Sequence, residues 1–80
     1  MQISINVMSK TPAYVQLADQ IKAAIDAGEL QPDDKIPSIK QLIEQTGLAM
    51  ATVQKAIKRL EQENYVFAVS GRGTFVMSRR

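Results

Sequence analysis

The apolar positions of this chain alternate with a period of two at its start, follow a helical period through its middle, and alternate again near its end. Ile3, Ile5 and Val7 alternate with Gln2, Ser4 and Asn6 over residues 1–7, which predicts a short N-terminal strand, with a frayed end as the alternative. Thr11 is placed to cap a first helix, and Pro12 to fill its first position, where proline's missing N–H is not needed. That helix spans about 12–28. Tyr14, Leu17, Ala18, Ile21, Ala24 and Ile25 form its apolar face, while Gln16, Asp19, Gln20, Lys22 and Asp26 lie mostly on the solvent side, and Gly28 supplies the stop. Pro32 and Pro37 interrupt any helix over 29–37, leaving Leu30 and Ile36 as core anchors and Lys35 and Ile36 as a token strand.

The stretch 38–60 organises the rest. Ser38 caps a second helix over 38–46, with Ile39, Leu42 and Ile43 inward and Lys40, Gln41, Glu44 and Gln45 outward. A turn at Thr46, Gly47 and Leu48 leads into a third helix over 49–64. There Val53, Ala56, Ile57 and Leu60 fall at i, i+3, i+4 and i+7, one apolar stripe. The opposite face carries Ala51, Lys55, Lys58 and Gln62, flanked by Thr52, Gln54 and Arg59. A buried stripe backed by a basic, amide-bearing face suits a helix lying in a DNA groove. The tail returns to the strand period: runs at 66–69 and 74–77 flank Ser70, Gly71, Arg72 and Gly73, a hairpin loop with glycines where positive φ is needed. A hairpin over 66–77 with an arginine at its tip, directly after a helix-turn-helix, is a wing. The fold class predicted is mainly α with a small β-hairpin: a single winged helix-turn-helix domain over 1–80, with three helices, a wing and a short N-terminal strand as an addition.

Charge sharpens this picture. Residues 1–34 hold Lys10 and Lys22 against Asp19, Asp26, Glu29, Asp33 and Asp34, a balance of −3. Residues 35–80 hold Lys35, Lys40, Lys55, Lys58, Arg59, Arg72, Arg79 and Arg80 against Glu44, Glu61 and Glu63, a balance of +5. Counterion release depends on which cations reach phosphates, so a basic half matters more than the mild net charge of +2. Histidine and cysteine are absent, which removes disulfides, thiolate zinc sites, cysteine nucleophiles and Ser–His triads. Asp33 with Asp34, and Glu61 with Glu63, are acidic pairs that no further group completes into a catalytic set, so an enzyme, a metal site or a cofactor is not expected. No apolar run approaches the ~18 residues of a membrane span and no signal-peptide layout is visible, which predicts a soluble, intracellular protein without membrane partners.

The whole order of elements resembles the GntR family of bacterial transcriptional regulators, specifically their winged-helix DNA-binding domain. The residues that carry the resemblance are PAYVQLADQIKAAIDAGELQPDDKIPS, the turn with Leu42, Thr46, Gly47 and Leu48, TVQKAIKRLEQENYV, and GRGTFV. Together they span 12–76, and the PxYxQLAxQI opening is closer to subfamilies beginning PIYEQ. The resemblance implies that Lys40 stands where the family has a DNA-contacting arginine. It places Ala49, Met50, Ala51 and Thr52 at the start of the recognition helix, and Gln54 at the arginine of a TVR segment. Ser70, Gly71, Arg72 and Gly73 then form a wing that approaches the minor groove.

Two departures alter the expected chemistry. The family prefers Ser or Thr at the position of Ala49 and Arg at that of Met50. Alanine cannot accept from the orphan amides of a helix start, a loss of ~1 kcal/mol against serine. Gln54 can still pair with adenine through two hydrogen bonds, and Met50 or Ala51 can pack on a thymine methyl, each bidentate base contact being worth ~1–3 kcal/mol. The expectation is therefore sequence-specific double-stranded DNA binding at an A·T-richer site, with weaker affinity per monomer. Lys40 and Thr52 would hold phosphates, and Lys55 and Lys58 would add charge. Met50, Ala51, Gln54 and Lys55 would face bases in the major groove, and Arg72 would insert from the wing. Two-fold operators imply a homodimer, for which residues 2–7 are the candidate pairing segment, with a local edge strand or floppy end as the favoured alternative for that segment. No small-molecule pocket is expected within these 80 residues, since the family carries its ligand-binding domain after the wing. Two other readings stand beside this one: a small architectural or excision-type DNA binder of a mobile element, and a winged-helix protein-interaction module.

Overall fold

The computed structural model describes residues 3–78. It contains helices α1 (Ala13–Asp26), α2 (Ile39–Thr46) and α3 (Met50–Gln62), followed by strands β1 (Val66–Val69) and β2 (Gly73–Val76). One hydrophobic cluster joins them all. Leu17, Ala18 and Ile21 of α1, Leu42 of α2, and Val53, Ala56, Ile57 and Leu60 of α3 meet Val66 and Val76 of the hairpin and Ile36 of the preceding segment. The third-helix stripe predicted by periodicity is therefore the buried one.

Local chemistry fixes the helix-turn-helix. Ser38 Oγ accepts from the Gln41 amide at 3.1 Å, and Gln41 Oε1 accepts from the Ser38 amide at 2.8 Å, a reciprocal box that satisfies two of the orphan donors at the α2 start. Gly47 ends α2 with φ 73°, a left-handed conformation that costs a side chain energy and glycine little. Thr46 Oγ1 donates to the Leu42 carbonyl at 2.7 Å and accepts from the Leu48 amide at 3.2 Å, so the turn is held from both sides. At Ala49, the cap of α3, no side chain meets the first amides.

The hairpin is antiparallel, with Val66 opposite Val76, Phe67 opposite Phe75, Ala68 opposite Thr74, and Val69 opposite Gly73. Buried Val66 and Val76 form its inner pair. Phe67 and Phe75 stack at 5.9 Å between ring centroids, a cross-strand aromatic pair that fixes register. The far edge of β2 is also occupied. Asp33 N–H donates to the Val76 carbonyl, Val76 N–H to the Asp34 carbonyl, and Ile36 N–H to the Thr74 carbonyl, at 2.8–2.9 Å. The bridge between Lys35 and Phe75 realises the token strand expected there.

Two expectations at the N-terminus need correction. The α1 cap is Pro12 rather than Thr11. Residues 3–6 form no strand, and among the described residues no backbone ladder runs along them, only the turn bond from Ser9 N–H to the Asn6 carbonyl. Side-chain amides of α1 take that place: Asn6 N–H donates to Gln16 Oε1 at 2.8 Å and Gln16 Nε2 donates to the Asn6 carbonyl at 2.9 Å, while Gln20 does the same for Ser4. Glutamines four apart on a helix rise about 6 Å, and residues two apart in extended chain about 6.6 Å, so the two ladders match. Ile3 and Ile5 meanwhile pack against the core. Met1 and Gln2 of the expected strand, like Arg79 and Arg80 of the basic half, lie outside the described residues.

Candidate nucleic-acid interface

α3 presents its chemistry as a consequence of its burial. With Val53, Ala56, Ile57 and Leu60 inward, the 100° step per residue brings Ala51, Gln54, Lys55 and Lys58 outward, and all four are exposed. Thr52 is half-buried on the flank of the helix, as is Arg59. Met50, in the first turn, keeps 58 % of its surface exposed, one of three large apolar side chains that stand out to solvent among the described residues. Lys40 is exposed on the first turn of α2. Lys40, Lys58 and Arg72 have no ion-pair partner among the described residues, so their charge is available to a polyanion.

The wing loop follows its sequence pattern. Gly71 and Gly73 take φ of 76° and 124°, and Arg72 N–H closes the turn on the Val69 carbonyl at 3.0 Å. Ser70, Gly71 and Arg72 are exposed at the tip, and Gly73 is half-buried. Gly73 is constrained by a neighbour as well as by its backbone: a Cβ placed there would come within 2.7 Å of Lys35 Cε. The lysine therefore lies across the base of the wing and adds a cation beside it. Its place depends on β2 folding back along 33–36; the sequence signals were its membership of the basic half and of the token strand, neither of which named the wing as its neighbour.

Lys55 does not stand free among the outward residues. Its ammonium lies 4.2 Å from the centroid of the Tyr14 ring, within the range where a cation is attracted to an aromatic face. Tyr14, Lys55, Lys58, Arg59 and Gln62 together line an open cleft of about 240 Å³ between α1 and α3. Behind it, Glu63 pairs with both Lys22 and Arg59, and Lys22 lies 5.3 Å from the Tyr65 ring, which braces the end of α3 against α1. Tyr14 was expected only as a core residue of the first helix; its partner is far away in sequence.

The structure thus brings Met50, Ala51, Thr52, Gln54, Lys55 and Lys58 onto one helix, with Ser70, Gly71, Arg72 and Gly73 in one loop and Lys40 on the neighbouring helix. Among the described residues, no cluster of metal-ligating side chains occurs, and no helix is long and apolar enough to cross a membrane.

The family model described as "Bacterial regulatory proteins, gntR family" matches residues 13–76. The HTH-type transcriptional repressor NagR of Bacillus subtilis (strain 168) is 42% identical over 74 residues, which is 92% of this chain and 30% of NagR. The chain thus spans less than a third of that relative's length. YtrA from Sulfolobus acidocaldarius, a GntR-family transcription factor, superposes with a TM-score of 0.91 at 44% identity, covering 100% of this chain and 84% of that one. AraR(DBD), solved in complex with operator ORX1, superposes with a TM-score of 0.85 at 31% identity, covering 95% of this chain and 98% of that one.

Proposed function

The chain belongs to the gntR family of bacterial regulatory proteins, and on that premise we propose that it reads duplex DNA with α3 in the major groove and the wing at the minor groove. It is a winged helix-turn-helix DNA-binding domain, homologous to transcriptional repressors. The observation that supports this docking is the face of α3 opposite its buried stripe, where Ala51, Gln54 and Lys58 are exposed while the wing presents Arg72. Gln54 carries the main base readout, by two hydrogen bonds to adenine, with Met50 and Ala51 against thymine methyls. Lys40 and Thr52 hold phosphates that set the register, Lys58 adds charge, and Arg72 enters the minor groove beside Ser70, Gly71 and Gly73. The role is that of a transcription regulator rather than an enzyme, acting on DNA in the cytoplasm, and two copies occupy a two-fold site.

Selection of bound sequences from random duplex DNA tests the reading, followed by affinity measured across salt. The expected result is an A·T-containing consensus with two-fold symmetry, and a logarithm of affinity that falls linearly with the logarithm of salt concentration. No enrichment, or an affinity insensitive to salt, would overturn it.

A further inference from the structure

The cleft between the first turn of α1 and the flank of α3 has the makings of an anion seat. Its lining consists of three cations (Lys55, Lys58 and Arg59), one amide (Gln62) and one phenol (Tyr14), with no carboxylate among them. The nearby acid, Glu63, is committed to Lys22 and Arg59. At about 240 Å³ the cleft has room for a phosphate group together with several waters, each water taking about 30 Å³ of liquid volume.

We propose that this cleft seats one backbone phosphate of the bound duplex, with Tyr14 as the positioning residue that holds the Lys55 ammonium at its rim. The proposal rests on the DNA-binding reading above and reassigns Lys55 within it. A helix lying in a major groove presents its crest to the base edges and its flanks to the two phosphate chains. By the 100° step, Gln54 lies on the far side of α3 from Arg59, and Lys55 sits between Ala51 and Arg59, on the side that faces α1. The Tyr14 ring draws the Lys55 ammonium further in that direction, away from the bases. A flexible lysine ordered before binding loses less freedom when the phosphate arrives, which is what a positioning ring contributes.

The test measures affinity for a selected duplex and for a series of the same duplex in which one phosphate at a time is replaced by a neutral methylphosphonate. For the unsubstituted protein, one linkage beside the recognition helix should weaken binding about tenfold, as loss of one charge-assisted contact does. Lys55→Ala should weaken binding to the unmodified duplex by a similar factor, reduce the cost of that one methylphosphonate several-fold, lower the salt slope by about 0.9, and leave the selected consensus unchanged. Tyr14→Phe, which keeps the ring, should bind as the parent does. Tyr14→Leu, with thermal melting measured alongside, should weaken binding about threefold at an unchanged consensus, and a Tyr14→Leu variant that binds as the parent does would overturn the positioning role. A Lys55→Ala effect that simply adds to that of every methylphosphonate, or a consensus that shifts with Lys55, would overturn the seat while DNA binding stands. A Tyr14→Phe variant as weak as Tyr14→Leu would overturn the positioning role of the ring. If the parent protein bound no duplex at all, the functional reading itself would fall.

Discussion

Gln20 holds Ser4 by both backbone groups: its Oε1 accepts from the Ser4 amide at 2.9 Å and its Nε2 donates to the Ser4 carbonyl at 2.6 Å. Gln16 repeats the arrangement one helical turn earlier on Asn6 and adds a bond to the Thr11 carbonyl at 2.8 Å. A side-chain amide has the same donor and acceptor set as a peptide group, so two glutamines stand in for the neighbouring strand that the segment lacks.

Removing one of these amides should loosen the segment without touching the interface. Gln20→Ala is expected to lower stability by roughly 1 kcal/mol, since its two bonds are solvent-exposed. The sharper readout is amide hydrogen exchange: protection should be lost at Ser4, while affinity for DNA stays as it was. Unchanged protection at Ser4 would refute the clamp.

The uncapped start of α3 offers a gain. Ala49→Ser supplies an oxygen to the orphan amides, and an increase in stability of about 1 kcal/mol is expected. Thermal or urea unfolding measures it, with an unchanged m-value as the sign that the folded state itself was stabilised.

Arg72 at the wing tip should act through charge. Arg72→Ala is predicted to reduce affinity and to lower the salt slope by about 1, read by fluorescence anisotropy at several ionic strengths. A fall in affinity with the slope intact would mean that Arg72 acts in the minor groove through contacts other than its charge.

Gln54, by contrast, should act through sequence. Gln54→Ala is expected to relax the preference at one base pair, by about 1–3 kcal/mol of discrimination, with the salt slope preserved. Binding-site selection on the variant shows whether that position alone is affected.

Gly73→Ala combines two effects. A φ of 124° disfavours any side chain, and the new methyl would push Lys35 off the base of the wing. We expect stability to fall by about 1 kcal/mol or more. In Lys35→Ala the methyl has no lysine to displace, so a double-mutant cycle should separate the steric part from the backbone part.

Much of this architecture was legible because it is written in local periodicity. The Val53 to Leu60 stripe, the Ser38 cap, the Gly47 stop and the two wing glycines each depend on residues within a turn or two of one another. What was not legible depends on distant pieces meeting. Alternation over residues 1–7 announced an extended segment, but pattern alone does not distinguish a backbone partner from the amides of Gln16 and Gln20. Lys55 read from its helical angle as a residue that faces bases and adds charge; that its ammonium lies 4.2 Å from the ring of Tyr14, on another helix, is not written in that pattern. Lys35 likewise joined the wing only through the pairing of 33–36 with β2.

That pairing has a further consequence for how the domain meets a duplex. β2 is bonded to β1 on one edge and to 33–36 on the other, and Met77 N–H reaches the Tyr65 carbonyl just beyond α3 at 2.9 Å. The base of the wing is therefore fastened at three places, one of them just beyond the end of α3. The fold thereby sets the span from Gln54 on α3 to Arg72 at the wing tip. On the proposed docking, a duplex whose adjoining grooves depart from that span would have to deform to be gripped, and the stiffness of base pairs that no side chain touches would enter the selection.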